Sequence, residues 1–441
     1  MYKILPKLIA VCYLGACSQV SALTVDEYTD ALLQNHPYFL QLSLAEKAAL
    51  VGEQLALTYT DWSLAGSLNN NDLNNTVYKV SAKKTVAKTG AIVSLNHSWG
   101  VITGENVTSI DYSQPLLQNR NGLNNKLNAD IATIEIAAQS VSRFEQTEVF
   151  ISNKIKRLIE LALAQEKEKI YRQQLKLTLA QFELAENKLK HGLIDQSDFL
   201  SEMDAKFRAE QQWLQSQSEL TLLKQELAAL ANIQESEMVI EFDLYQQHDI
   251  VQVDSESILP NLRVMQQIQI ERQKLRRQKQ SLEDKLLPSI NLSFGLSTQG
   301  EGNNYFDGFS NQDQFWRMGV DVSYPLGQNK AMLNLVQSDI SLARLNARQR
   351  EVEINTKQQI GTLVLQVKFL RKTMEISQDQ VQIAEDKVYE EDLKFENARG
   401  NKSLLISTQK ALNLMKLAHA QTAANYQINV IEYRSTIDQL L

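Results

Sequence analysis

No proline occurs between Leu116 and Leu259, and only Gly122 and Gly192 interrupt that stretch of helix-compatible residues. Proline breaks a helix interior and glycine weakens it by about 1 kcal/mol, so a run without them permits very long helices. Leu161, Leu175, Phe182 and Leu189 lie on one seven-residue register before Gly192, and Leu200, Phe207 and Leu214 lie on another after it. Seven-residue spacing keeps a narrow apolar stripe on one side of a helix and suits it to lie along a partner. The segment Lys188–Asp195 reads as the short turn that folds the second helix back antiparallel. A helix covering most of Leu117–Lys190 would reach roughly 110 Å at 1.5 Å per residue. The pattern points to an elongated helical molecule, not a globular enzyme.

The N-terminus sets the compartment. Lys3 and Lys7 precede the apolar run Leu8–Leu14, and small residues follow up to Ala22. That is the layout of a secretory signal peptide spanning residues 1–22, with cleavage after Ala22. Leu14-Gly15-Ala16-Cys17 also reads as a lipoprotein cleavage site, which would leave Cys17 acylated. Cys12 and Cys17 are the only cysteines, so ordinary cleavage removes every thiol and with it any disulfide or cysteine metal site. Without Lys3 and Lys7 the chain carries 43 basic against 52 acidic residues, a balance that does not suit nucleic acid. Past the signal no apolar run approaches the roughly 18 residues of a spanning helix, so any membrane crossing must use strands closed into a barrel.

In chain order, Thr24 or Asp26 caps an amphipathic helix marked by Leu32, Leu33, Leu40, Leu44 and Leu55, which Asn35-His36-Pro37 interrupts. From Tyr59 asparagine and glycine become frequent, and strand-like segments follow at Val77–Ser81, Ala91–Asn96 and Ser109–Ser113. The segment Ile110–Asn119, containing Ser113-Gln114-Pro115-Leu116, has a near copy at Val320–Asn329, containing Ser323-Tyr324-Pro325-Leu326. Both copies run into proline-free helical sequence. In the second, Val367, Met374, Val381, Val388 and Phe395 hold one heptad position before Gly400, and Leu405, Leu412, His419, Tyr426 and Tyr433 hold another after it. The chain therefore reads as a tandem duplication of helix, two strands and helical hairpin. Residues 23–232 form the first repeat, with barrel strands over about 60–114 and a hairpin tip near 191–195. Residues 233–260 form a connector. Residues 261–441 form the second repeat, with strands over about 289–324 and a tip near 399–402.

The residues that punctuate this pattern have structural roles of their own. Pro115 and Pro325 push Gln114 and Tyr324 into extended geometry, so those residues should end strands and the prolines open helices. Gly192 and Gly400 fit helix C-caps, where a positive φ is needed. The aromatic residues Trp62, Tyr78, Trp99, Tyr112, Tyr305, Phe306, Phe309, Phe315 and Trp316 read either as a membrane-interface girdle or as ordinary strand packing. His36, His97, His191, His248 and His419 lack metal-ligand spacing, and Glu390, Glu391 and Asp392 lie among lysines on a helix face. No cofactor, metal or catalytic constellation is expected.

A signal peptide, a twofold repeat, strands ending in Ser-x-Pro-Leu and long hairpins turning at glycine together resemble the TolC-type outer-membrane efflux family, over essentially all of Leu23–Leu441. The resemblance implies a mainly α protein with membrane β-structure. Its form would be a homotrimer in which four strands per chain build a twelve-stranded β-barrel in outer-membrane lipid and the helices build an α-barrel through the periplasm. It implies an export duct working with a periplasmic membrane-fusion adaptor and an inner-membrane transporter, for drug or small-molecule efflux or type I protein secretion. The hairpin tips would form the entrance and dock the adaptor: Lys190, His191, Gly192, Leu193, Ile194 and Asp198 in the first, Arg399, Gly400, Asn401 and Lys402 in the second. The second tip departs from the family, carrying Ile406, Ser407 and Gln409 where aspartates line the constriction in its best-known members; Lys402 is a candidate basic gate residue. A periplasmic coiled-coil scaffold or adaptor without a pore is the alternative, and the duplication speaks against it.

Overall fold

A computed structural model gives the structure of the chain and describes residues 23–440 apart from 71–75, 102, 103, 236, 237, 239, 250–253, 303, 311 and 328. The signal-peptide and Cys17 readings lie outside these residues. The first helix, α1 (Val25–Asn35), starts where Thr24 accepts from the Glu27 amide while the Glu27 carboxylate accepts from the Thr24 amide, a reciprocal capping box. His36 stands in extended geometry ahead of Pro37, which opens α2 (Pro37–Leu57). Strands β1 (Ser63–Asn70), β2 (Thr76–Thr85), β3 (Ile92–Gly100) and β4 (Asn106–Pro115) follow. Next come α3 (Leu127–Lys190) and α4 (Gln196–Ala231), the short α5 (Ser255–Ile258) and α6 (Arg263–Lys285). The chain continues through β5 (Ser289–Gly300), the six-residue α7 (Tyr305–Ser310) and β6 (Gln312–Ser323) to α8 (Asn329–Glu396) and α9 (Lys402–Thr436). The two hairpins match closely in length, with helices of 64 and 36 residues in the first and 68 and 35 in the second.

Compact packing divides the chain into two units, each drawing on both sequence halves. One unit is helical and takes in the described residues within 23–39, 148–252 and 361–440. Its core joins Leu158, Ile159 and Leu161 of α3, Leu227 and Ala231 of α4, Val367 and Met374 of α8, and Ala420, Ala424, Tyr426 and Val430 of α9. Small residues let the helices approach, and Tyr28 of α1 enters the same core, its hydroxyl donating to the Leu227 carbonyl at 3.1 Å. The gap at position 168 in the first stripe is filled by a buried Glu168, whose Oε1 accepts from Trp213 Nε1 at 3.0 Å and Arg172 Nη2 at 2.7 Å. Burying a carboxylate is tolerated because both partners are charged or polar donors. Two seven-residue stripes, by contrast, face outward: Leu200, Phe207 and Leu214 on α4, and Phe369, Ile376 and Ile383 on α8.

The other unit takes in residues 40–147 and 253–360 and holds one antiparallel sheet in the order β1-β2-β3-β4-β5-β6. The resemblance implied four strands per chain, and the sheet has six: the first half contributes four and the second two. The stretch before Pro115 is long enough for a second hairpin, which the symmetry of the repeat concealed. Strand pairing sets each face of the sheet. Leu64, Ala82, Leu95, Ile110, Leu296 and Trp316 form one continuous row across all six strands. One residue along, Ser63, Lys83, Ser94, Asp111, Gly295 and Arg317 form a row on the opposite face. The first face is apolar and the second polar.

Candidate functional site

The first hairpin tip is built from backbone hydrogen bonds. Gly192 has φ +67°, its amide donates to the Leu189 carbonyl at 3.0 Å, and the Leu193 amide reaches back to Lys188 at 2.8 Å. These bonds make a Schellman cap, satisfying carbonyls that the end of α3 would leave unpaired. Asp195 then caps α4, its Oδ1 accepting from the Asp198 amide at 2.9 Å. Asp198 thus adds negative charge at the positive end of the helix. Lys190 pairs with Glu186 at 3.1 Å, and His191 Nδ1 lies 2.7 Å from the Asn187 carbonyl. Phe182 and Phe199 pack across the hairpin behind the turn, with ring centroids 5.4 Å apart. Leu193 is 73% exposed, whereas Ile194 is partly buried.

At the second tip the same cap forms two residues ahead of the glycine. The Arg399 amide donates to the Lys394 carbonyl at 2.8 Å and the Ala398 amide to Phe395 at 3.0 Å, so the left-handed residue is Ala398, at φ +55°. Gly400 is therefore not the left-handed cap residue that its place after α8 suggested. It allows close approach, because a Cβ there would lie 2.6 Å from the Phe395 nitrogen and 2.9 Å from the Lys394 carbonyl carbon. Asn401 caps α9 by accepting from the Ser403 amide at 2.9 Å, leaving Arg399 and Lys402 exposed. The tips meet where Lys188 Nζ stands 3.3 Å from Ser403 Oγ. Ile406 is buried, while Ser407 is exposed and Gln409 partly so.

The strand-to-helix junctions correct a second expectation. Pro115 is the last residue of β4, paired with Asn291, and α3 begins only at Leu127; Pro325 follows β6, and α8 begins at Asn329. Neither proline opens a helix. Between Pro115 and α3 the chain turns through Asn119, Asn121 and Gly122, all at positive φ. Asp284 near the end of α6 holds that turn, accepting from the Asn119 amide at 2.7 Å and Asn124 Nδ2 at 2.6 Å. Arg277 reaches Asp130 at 2.6 Å, and Ser281 Oγ donates to Asn124 Oδ1 at 2.5 Å. These partners are about 150 positions away in sequence and had no local signal.

Solved structures share this fold over nearly all of the chain. A channel described as the Campylobacter jejuni CmeC outer membrane channel matches with a TM-score of 0.70 at 12% identity, covering 94% of this chain and 85% of that one. The open-state Neisseria gonorrhoeae MtrE outer membrane channel matches at 0.67 and 12%, covering 94% and 88%. The Vibrio cholerae outer membrane protein VceC matches at 0.65 and 13%, covering 94% of each. The chain has the TolC-type channel fold. No protein-family model matches it, and no curated protein matches it.

Within this TolC-type fold the histidines are dispersed. His419 stacks on Tyr245 with centroids 4.7 Å apart and lies 2.7 Å from Ser377 Oγ. The His248 amide donates to the Tyr426 hydroxyl at 2.9 Å, and that hydroxyl donates to the His248 carbonyl at 3.0 Å. Burial pushes both imidazoles below the usual histidine range, and it pushes the Tyr245 phenol up to about 12. No group of three or more acidic, histidine or cysteine residues suited to a metal occurs among the described residues. Tyr78 and Trp99 stack at 4.7 Å and Tyr305 meets Trp99 edge-on, while Trp316 and Phe306 stay exposed. The aromatic residues thus divide between mutual packing and exposure.

Proposed function

We propose that the chain is an outer-membrane export channel whose copies assemble as a homotrimer, with the sheets forming a barrel in lipid and the hairpins a periplasmic duct. The carrying observation is the two-faced sheet. Its apolar face exposes Leu64, Leu95, Ile110, Leu296, Trp316 and Met318, a surface that water penalises and hydrocarbon accepts. Its polar face presents Lys83, Asp111 and Arg317, with Asp111 paired to Arg317 and accepting from Asn96 at 3.0 Å and Ser109 at 2.8 Å. Charges of this kind suit a water-filled lumen.

The outward stripes on α4 and α8 support assembly, since each has the spacing of a coiled-coil seam and is left exposed among the described residues. The tips fit adaptor docking. They are capped and therefore ordered, they lie side by side, and Leu193 is an exposed apolar group at the outermost turn. An inner-membrane transporter would supply the energy, with either small molecules or secreted protein as cargo. Fractionation and bilayer recording test the reading: detergent-extracted protein from outer membranes should migrate as three cross-linked chains and give discrete conductance steps. A soluble monomer without conductance would overturn it.

A further inference from the structure

Among the described residues the sheet ends on both sides at a strand with one neighbour: β1 pairs with β2, and β6 with β5. In hydrocarbon every backbone amide and carbonyl needs a partner, so a single copy cannot be the finished wall. Soluble sheets blunt such edges with lysine, proline or bulges. Strand β1, Ser-Leu-Ala-Gly-Ser-Leu-Asn-Asn, has no charge and no proline, and all eight of its residues are exposed.

The two edges complement each other in side chains as well as in backbone. On the apolar face β1 offers Leu64 and Leu68, while β6 offers Trp316, Met318 and Val320, all exposed within one copy. On the polar face β1 carries the small Ser63, Ala65 and Ser67, followed by Asn69 at its end, and the small residues leave room for the bulky Phe315 and Arg317 of β6. We infer that the β1 edge of one copy pairs with the β6 edge of a second copy, so that every chain supplies six strands to the wall. This rests on the trimeric reading above. Three copies would then close eighteen strands, not twelve, a barrel about 1.5 times as wide and in the range that leaves an open aqueous channel. The extra hairpin β1-β2 becomes part of the pore wall, lining it with Lys79 and Lys83 of β2.

Disulfide trapping tests the seam. The chain's only cysteines, Cys12 and Cys17, precede residue 23, so introduced pairs can be followed against single-cysteine controls. Ala65→Cys in β1 is combined in turn with Phe315→Cys, Arg317→Cys and Gly319→Cys in β6, and Asn96→Cys in β3 is combined with the same three. Membranes are oxidised, and a parallel sample is treated with a lysine cross-linker. At least one β1·β6 pair should give covalent dimers and trimers at ten times the yield of any β3·β6 pair. If β3·β6 pairs link and β1·β6 pairs do not, the wall has four strands per chain and the inference fails while the trimer stands. If no pair links although the lysine reagent gives trimers, the inference likewise fails alone. If the lysine reagent gives only monomers, the inference and the proposed function fall together.

Discussion

The two hairpin tips solve one geometric problem with different residues. Both close a helix of more than sixty residues by the same pair of backbone bonds, and both restart the chain with a side-chain cap, from Asp195 in one and Asn401 in the other. At the first tip the glycine occupies the left-handed position, in open space. At the second the left-handed position falls to Ala398, and the glycine sits two residues later against the backbone of Lys394 and Phe395. A glycine at the same place in the pattern therefore serves conformational freedom in one hairpin and space in the other. Substitution separates the two requirements.

The largest effect belongs to Gly400→Ala. The new methyl group meets main-chain atoms that no side-chain rotation can clear, and overpacking of that kind costs about 2–3 kcal/mol. Thermal unfolding of the assembled protein should show a clear drop in Tm; an unchanged Tm would mean that the second tip tolerates another backbone path. Next come two replacements of opposite sign. Gly192→Ala finds room but takes on a positive φ, costing about 1 kcal/mol, whereas Ala398→Gly relieves one and gains about 0.5–1 kcal/mol. Denaturant titration of both variants checks the signs, and a loss in Ala398→Gly would break the equivalence of the two caps. The smallest stability effect is expected for Leu193→Ser, within about 0.5 kcal/mol because an exposed side chain leaves no cavity. Its consequence should show in adaptor pull-down and export instead. Normal capture with normal export would reduce the first tip to a turn.

What could be read from the sequence follows the range of the forces involved. The long helices, the break at Asn35-His36-Pro37 and the first tip are written in local periodicity, proline and glycine, and they stand where those signals place them. Five of the six strands showed alternation. Strand β1 did not, because Leu64 and Leu68 are separated by Ala65, Gly66 and Ser67, which carry no contrast between faces. The left-handed Ala398 was missed because alanine gives no hint of positive φ; there the six-residue geometry of the cap outweighs local preference. The hold of Asp284 and Arg277 on the start of α3 joins distant segments, and only the folded sheet brings them together. The proline junctions failed for a related reason: pairing with Asn291 keeps Pro115 in its strand, so the helix waits for the next turn.

One consequence of the uninterrupted strand order concerns parity. Because six strands alternate direction in sequence order, the chain enters the sheet at β1 and leaves it at β6 on the same side. The same holds for its intermediate exit after β4 and re-entry at β5. An even count also means that the first and last strands run in opposite directions, so copies placed side by side continue the antiparallel alternation whatever their number. A single added strand would send the chain out on the wrong side and set two like-directed strands against each other at every seam. A wall of this design can change its circumference only by whole hairpins, and the difference between the two halves of this chain is one such step.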